Sequence, residues 1–175
     1  ESAKGDVSAP NRGVPDRSDL LYLSAIEGYK KTDWTANWIW TENCAEDSYV
    51  AFRKTFTLEQ AVPTATAFIS AADKYVLWVN GELVVLDGSL KRGPTPYDSY
   101  YDTVELTNLK QGENTIALLV AFNGRSGDGS IVPVLVDEEG DEYTQAGLIF
   151  ELDAGGTTIC SDSSWKAARH TGYKN

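Results

Sequence analysis

The chain has 175 residues, with 15 Lys and Arg against 26 Asp and Glu, a net charge of −11, 42% apolar and 11% aromatic residues, two Cys and no Met. That length supports one compact domain whose core needs no staple. The acidic excess repels phosphate backbones and anionic lipid alike, and the longest apolar run, 116–122, is far short of the roughly 20 residues of a spanning helix, so neither nucleic acid nor membrane is expected as a partner.

The absent methionine marks a processed protein or a module of something longer. Residues 1–33 read as a lead-in linker, their first 19 positions mixing Gly, Pro, Ser and charge without periodicity, with Ser18 placed to cap a short helix over 19–30. From Trp34 the apolar period becomes two. Trp38, Ile39 and Trp40 open a first strand. Val50, Phe52, Phe56 and Leu58 then alternate with Ala51, Arg53, Thr55 and Thr57 in a half-buried second strand, Lys54 being the lone charge on its apolar face. Strands over 65–71 and 75–79 follow, and Asn80-Gly81 supplies the two positive-φ positions of a type I′ turn into 82–86. A polar stretch, 87–98, leads to a strand at 100–106. A turn at 110–114 then enters 115–122, a nearly continuous apolar run with the character of a sheet centre. Residues 123–130 are a Gly-rich loop, and Pro133 confines 131–136 to an edge, since proline cannot donate to a ladder. An acidic turn at 137–142 precedes a hairpin of 148–152 and 157–160 across Gly155-Gly156. About nine short strands at roughly ten-residue spacing predict an all-β fold, an antiparallel β-sandwich or jelly roll over 34–168 with a tail at 169–175.

Catalytic signatures are missing. His170 lies among Ala168, Arg169, Thr171 and Gly172 with no GxSxG motif and reads as a surface histidine. Glycoside hydrolysis takes two carboxylates about 5 to 10 Å apart, and in a chain this acidic some pair is always close, so that criterion selects nothing. The stretch 124–129 lacks the lysine of a phosphate loop. Sugar binding leaves a softer trace, because pyranose faces stack on aromatic rings while Asp, Asn and Arg take the hydroxyls. The segment 91–102 combines those ingredients, with Tyr97 as platform and Arg92 beside it; alternation sends Tyr100 and Tyr101 to opposite faces. Candidate sugar-binding residues are Asp73, Lys74, Arg92, Tyr97, Tyr100, Asn123 and Arg125. Calcium takes six to eight oxygens, for which Asp73 and Asp128 are candidate ligands, although most acidic turns are merely solvated. Trp38, Trp40 and Trp78 sit in apolar strand contexts and are expected in the core, while Trp34 reads either way. Cys44 and Cys160 form either a disulfide, which would stabilise by about 4 to 5 kcal/mol through so long a loop, or two free thiols. The composition suits an extracellular setting.

The succession Trp38-Ile39-Trp40, Phe52-Arg53-Lys54-Thr55-Phe56, Ala71-Ala72-Asp73-Lys74-Tyr75-Val76-Leu77-Trp78-Val79-Asn80-Gly81, Tyr100-Tyr101-Asp102-Thr103-Val104-Glu105-Leu106-Thr107, Gly112-Glu113-Asn114-Thr115-Ile116 and Ser161-Asp162-Ser163-Ser164-Trp165-Lys166 resembles the N-terminal β-sandwich region of bacterial α-L-rhamnosidases. The resemblance covers roughly 34–168. It implies a galactose-binding-like jelly roll, some members of which bind L-rhamnose with the help of calcium, and a catalytic helical barrel elsewhere in the parent chain. Asp73 matches the Asp of an Asp-Asn pair at the ligand and metal site of such relatives, and Lys74 stands where the Asn would be. The expected function is a non-catalytic carbohydrate-binding module of a multidomain secreted protein. Its partners would be plant cell-wall polysaccharide and the catalytic domain of the same parent chain. The alternative is a structural accessory domain of an α-L-rhamnosidase with no ligand of its own.

Overall fold

The computed structural model describes residues 34–42, 47–71, 73–89, 101–123, 134–136, 142–144 and 146–172. Among them are eleven strands: β1 (Ser48–Leu58), β2 (Ala65–Ala71), β3 (Lys74–Val79), β4 (Glu82–Ser89), β5 (Asp102–Leu106), β6 (Gly112–Phe122), β7 (Val134–Val136), β8 (Glu142–Thr144), β9 (Leu148–Ala154), β10 (Thr157–Cys160) and β11 (Lys166–Arg169). A five-stranded sheet in the order β11-β1-β6-β3-β4 packs on a four-stranded sheet in the order β10-β9-β2-β5, and β7 pairs with β8. Every pairing is antiparallel. The predicted sandwich is the observed fold. Among the described residues no helix is long and apolar enough to cross a membrane.

Period-two alternation builds the core. Val50, Phe52, Phe56 and Leu58 of β1 point inward, as do Ile116, Leu118, Val120 and Phe122 of β6 and Tyr75, Leu77 and Val79 of β3. They meet Ala67 and Ile69 of β2 and Leu148, Phe150 and Leu152 of β9, all fully buried. Each large side chain removed from water in this way contributes roughly 1.5–3 kcal/mol. Lys54 holds an inward register position in the middle of β1 and donates to the hydroxyl of Ser164, which itself donates to Asp162.

The 38–40 segment departs from expectation, for it makes a single bridge, Ile39 to Leu148, rather than a strand. Side chains clip it to β9 instead. One oxygen of the buried Glu151 accepts from Thr35 N (2.8 Å), Thr35 Oγ1 (2.8 Å) and Ala36 N (3.2 Å), and Ser161 Oγ donates to Asn37 O (2.6 Å). Trp40 packs on Phe52 and Phe122, as a core residue should. Trp38 is 48% exposed, a correction to its expected burial: its ring lies against Gly147, where any Cβ would come within 2.7 Å of it. Trp78 also differs, because Tyr75, Leu77 and Val79 occupy the inward positions of β3 and leave Trp78 half-buried on the outer face. The acidic turn 137–142 lies largely outside the described residues. Cys160 carries a free, half-buried thiol, and Cys44 lies outside the described residues.

The Asn80-Gly81 turn has φ values of 53° and 84°, as a type I′ hairpin requires. Asn80 then reaches across the sheet end: its Oδ1 accepts from Thr115 N (3.0 Å), and its Nδ2 donates to Asn108 O (2.8 Å) and Asn114 Oδ1 (2.9 Å). At the other end of the β3–β4 hairpin the register shifts twice, bringing Gly88 opposite Tyr75. The Tyr75 ring crosses over Gly88 so that its hydroxyl donates to Asp102 Oδ2 (2.9 Å), tying one sheet to the other. Burial and the Asp102 carboxylate together push the phenol far above its ordinary pKa, so it stays a donor. A Cβ on Gly88 would lie 2.1 Å from the ring. Gly88→Ala is therefore expected to cost roughly 1–3 kcal/mol by overpacking, read as a lower urea midpoint at unchanged slope; an unaltered midpoint would contradict the close approach.

Candidate functional site

Three of the expected site residues come together at one end of the five-stranded sheet. Asp73 occupies the turn between β2 and β3 with φ 56°, the left-handed region that Asp tolerates through its short polar side chain. Its carboxylate is buried and accepts the backbone N–H of Asn123, the first residue after β6. Asn123 thus cannot drift from the β2–β3 turn. Lys74, the first residue of β3, is exposed and donates to both oxygens of Asp87 in β4 (3.0 and 3.4 Å). With both partners more than half exposed, that ion pair orients side chains more than it stabilises the fold.

Beside these residues the outer face of the sheet dips into a groove of about 330 Å³, lined by Tyr49, Lys74, Val76, Leu86, Asp87, Leu119, Ala121 and Asn123 along with part of Tyr75. The register explains the shape. Tyr49 of β1, Ala121 of β6 and Lys74 of β3 lie in one row across the sheet, and Leu119 and Val76 form the next. Small Ala121 between Tyr49 and Lys74 makes the depression. Leu86 and Asp87 are thrown over it by the bulges in β4. The result is an apolar floor with an aromatic edge and a rim of one ammonium, one carboxylate and one amide, able to donate and accept around a ligand whose faces are apolar.

Sequence reasoning missed Tyr49, Val76, Asp87 and Leu119 here. The run 115–122 is the sheet centre that was expected, but only its even-numbered side is buried; Ala117, Leu119 and Ala121 are half-exposed. A strand reading apolar on both sides while placing alanine at alternate positions was the available signal. Arg92, Tyr97, Tyr100, Arg125 and Asp128 lie outside the described residues. Among the described residues no group of three or more His, Cys, Asp or Glu is placed to hold a metal. Near Asp73 they offer one buried carboxylate already engaged by Asn123, with the Lys74 ammonium on the next residue, which does not fit the six to eight oxygens that calcium takes.

The sequence profile of the family described as the α-L-rhamnosidase N-terminal domain matches residues 60–174. The chain belongs to that family. This rhamnosidase N-terminal domain is similar in structure to the α-L-rhamnosidase of Streptomyces avermitilis complexed with L-rhamnose, at 22% identity and TM-score 0.56, over 82% of this chain and 13% of that one. It is also similar to the lectin of Pleurotus ostreatus in its apo form, at 28% identity and TM-score 0.50, over 77% of this chain and 35% of that one. The native α-L-rhamnosidase of Aspergillus terreus aligns at 28% identity and TM-score 0.46, over 73% and 15%. The domain thus spans well under two thirds of each of these proteins. No curated protein sequence matches it.

Within the domain, Asp73 is a carboxylate held out of water. Burial raises its pKa above the ordinary carboxylate value, and the Asn123 N–H, which favours the charged form, only partly offsets that. A carboxylate raised on folding binds its proton more tightly in the native state. Its charge therefore opposes folding at neutral pH, and the opposition is relieved as pH falls through the folded value toward about 3.9, the unfolded one. Asp73→Asn removes this titration. The stability of the native sequence relative to Asp73→Asn is expected to improve between pH 7 and pH 4, measured as paired denaturant midpoints; a constant difference would contradict the burial.

Proposed function

We propose that the domain is a non-catalytic carbohydrate-binding module of a secreted, multidomain plant-polysaccharide-degrading protein, and that the groove at the Asp73 end of the five-stranded sheet seats a sugar of the glycan. The observation carrying this reading is the pairing of an apolar floor, Val76 with Leu119 and Ala121, with a rim of Lys74, Asp87 and Asn123. A pyranose presents just that contrast, apolar C–H faces bounded by hydroxyls. The likeness to a lectin at 28% identity supports it. Asp87 is the one carboxylate lining the groove among the described residues, whereas hydrolysis by a pair takes two. A catalytic domain of the same parent chain would perform the chemistry while the module holds the substrate near.

A second reading, a structural accessory domain of an α-L-rhamnosidase that binds no ligand, draws support from Leu83 and Leu86, which are 52% and 70% exposed on the same sheet.

Affinity gels cast with rhamnogalacturonan I, pectins and hemicelluloses separate the two. Retardation on at least one is expected, weakened about tenfold by Asp87→Ala or Lys74→Ala, each of which removes a charged hydrogen-bonding partner from the rim. No retardation on any of them decides for the accessory domain. The net charge of −11 adds a preference for neutral glycans over unsubstituted polygalacturonate; tighter binding to polygalacturonate than to every neutral glycan would refute that.

A further inference from the structure

The outer face of the five-stranded sheet does not end at the groove. One register step beyond the Leu119–Val76 row, Arg53 of β1, Ala117 of β6, Trp78 of β3 and Leu83 of β4 lie side by side across four strands. Ala117 is again the small residue between larger ones, Arg53 on one side and Trp78 on the other. Trp78 is half-buried, with Leu83 exposed beside it. The next row turns polar, its threonines Thr55 and Thr115 lying 3.5 Å apart, hydroxyl to hydroxyl.

We propose that this strip is a second sugar subsite, with the Trp78 indole as stacking platform and Arg53 as hydrogen-bond donor, so that the module binds a glycan chain lying along β3 rather than a single terminal sugar. The proposal rests on the groove reading above and extends it. Trp78 lies four residue steps along β3 from Lys74, a span of about 13 Å, longer than one pyranose ring. The composition favours a glycan over a protein occupant. Protein interfaces deplete Lys, Asp and Glu from their buried centres, and here Lys74 and Asp87 line the groove beside the apolar Leu119–Val76 row. A second copy of the chain is disfavoured because each carries a net charge of −11. Aromatic stacking with flanking polar groups is what a sugar chain uses.

Calorimetric titration with L-rhamnose and with rhamnogalacturonan I tetra- and octasaccharides tests it, using the native chain, Trp78→Ala and Trp78→Tyr. The octasaccharide is expected to bind the native chain at least tenfold more tightly than L-rhamnose. Trp78→Ala should lose roughly three- to tenfold on the octasaccharide, the size of one aromatic stacking contact, and leave L-rhamnose unchanged, with a native circular-dichroism spectrum at the titration temperature showing that it is folded despite a lowered melting midpoint. Trp78→Tyr should restore most of the loss. Octasaccharide affinity that is native-like in Trp78→Ala, or no gain with chain length in the native chain, overturns the second subsite and leaves the groove reading standing. Absence of binding by all three sugars overturns the second subsite, and together with no retardation on the pectin and hemicellulose gels it overturns the groove reading as well.

Discussion

Strand β6 constrains the rest of this molecule. It lies at the centre of the five-stranded sheet, paired with β1 along eleven positions and with β3 along six. Its alternation cannot slip by one residue without turning Ile116, Leu118, Val120 and Phe122 out of the core. That same register sets Ala117, Leu119 and Ala121 on the opposite side, where Leu119 and Ala121 become part of the floor of the groove. Core and candidate site are two sides of one strand. One register thereby fixes both faces, yet the small side chains that make the depression cost the core nothing, because no inward position is involved.

At the end of β6 the coupling is sharper. Asp73, held in a left-handed turn and out of water, accepts the N–H of Asn123 and so joins the β2–β3 turn to the point where the chain leaves the sheet. Burying a carboxylate is unfavourable, and a fold tolerates it where the bond fixes something useful. Here it fixes one corner of the groove, while the exposed Lys74–Asp87 pair on the rim can exchange its mutual contact for ligand hydroxyls at small cost. A site this open buries little area and must strip water from polar groups, so affinity for one sugar is modest and a chain contacting several subsites gains most.

Local signals were the legible ones. The Asn-Gly turn, the alternation across 50–58 and the strand at 65–71 could be read directly, because each depends on neighbours within a few residues. The segment 34–40, expected to open the first strand, could not, since its conformation is decided by Glu151 and Ser161, more than a hundred positions away. Trp78 illustrates a second kind of blindness. The strand around it, Tyr75 to Val79, is apolar at every position, so composition gives no parity; pairing with Ala117 and Leu83 decides which side faces water. Of the expected site, Asp73, Lys74 and Asn123 proved to be neighbours despite a separation of fifty residues in sequence, whereas Tyr49, Asp87 and Leu119 emerge only when four strands are laid side by side.

The claim that the outer face of the five-stranded sheet is the binding face is tested most directly by amide chemical-shift mapping with a rhamnogalacturonan I octasaccharide. The account predicts that the largest shifts fall on Val76, Asp87, Leu119, Ala121 and Asn123, on that face. Shifts confined to Thr66, Phe68 and Asp153, on the outer side of the four-stranded sheet, would contradict it.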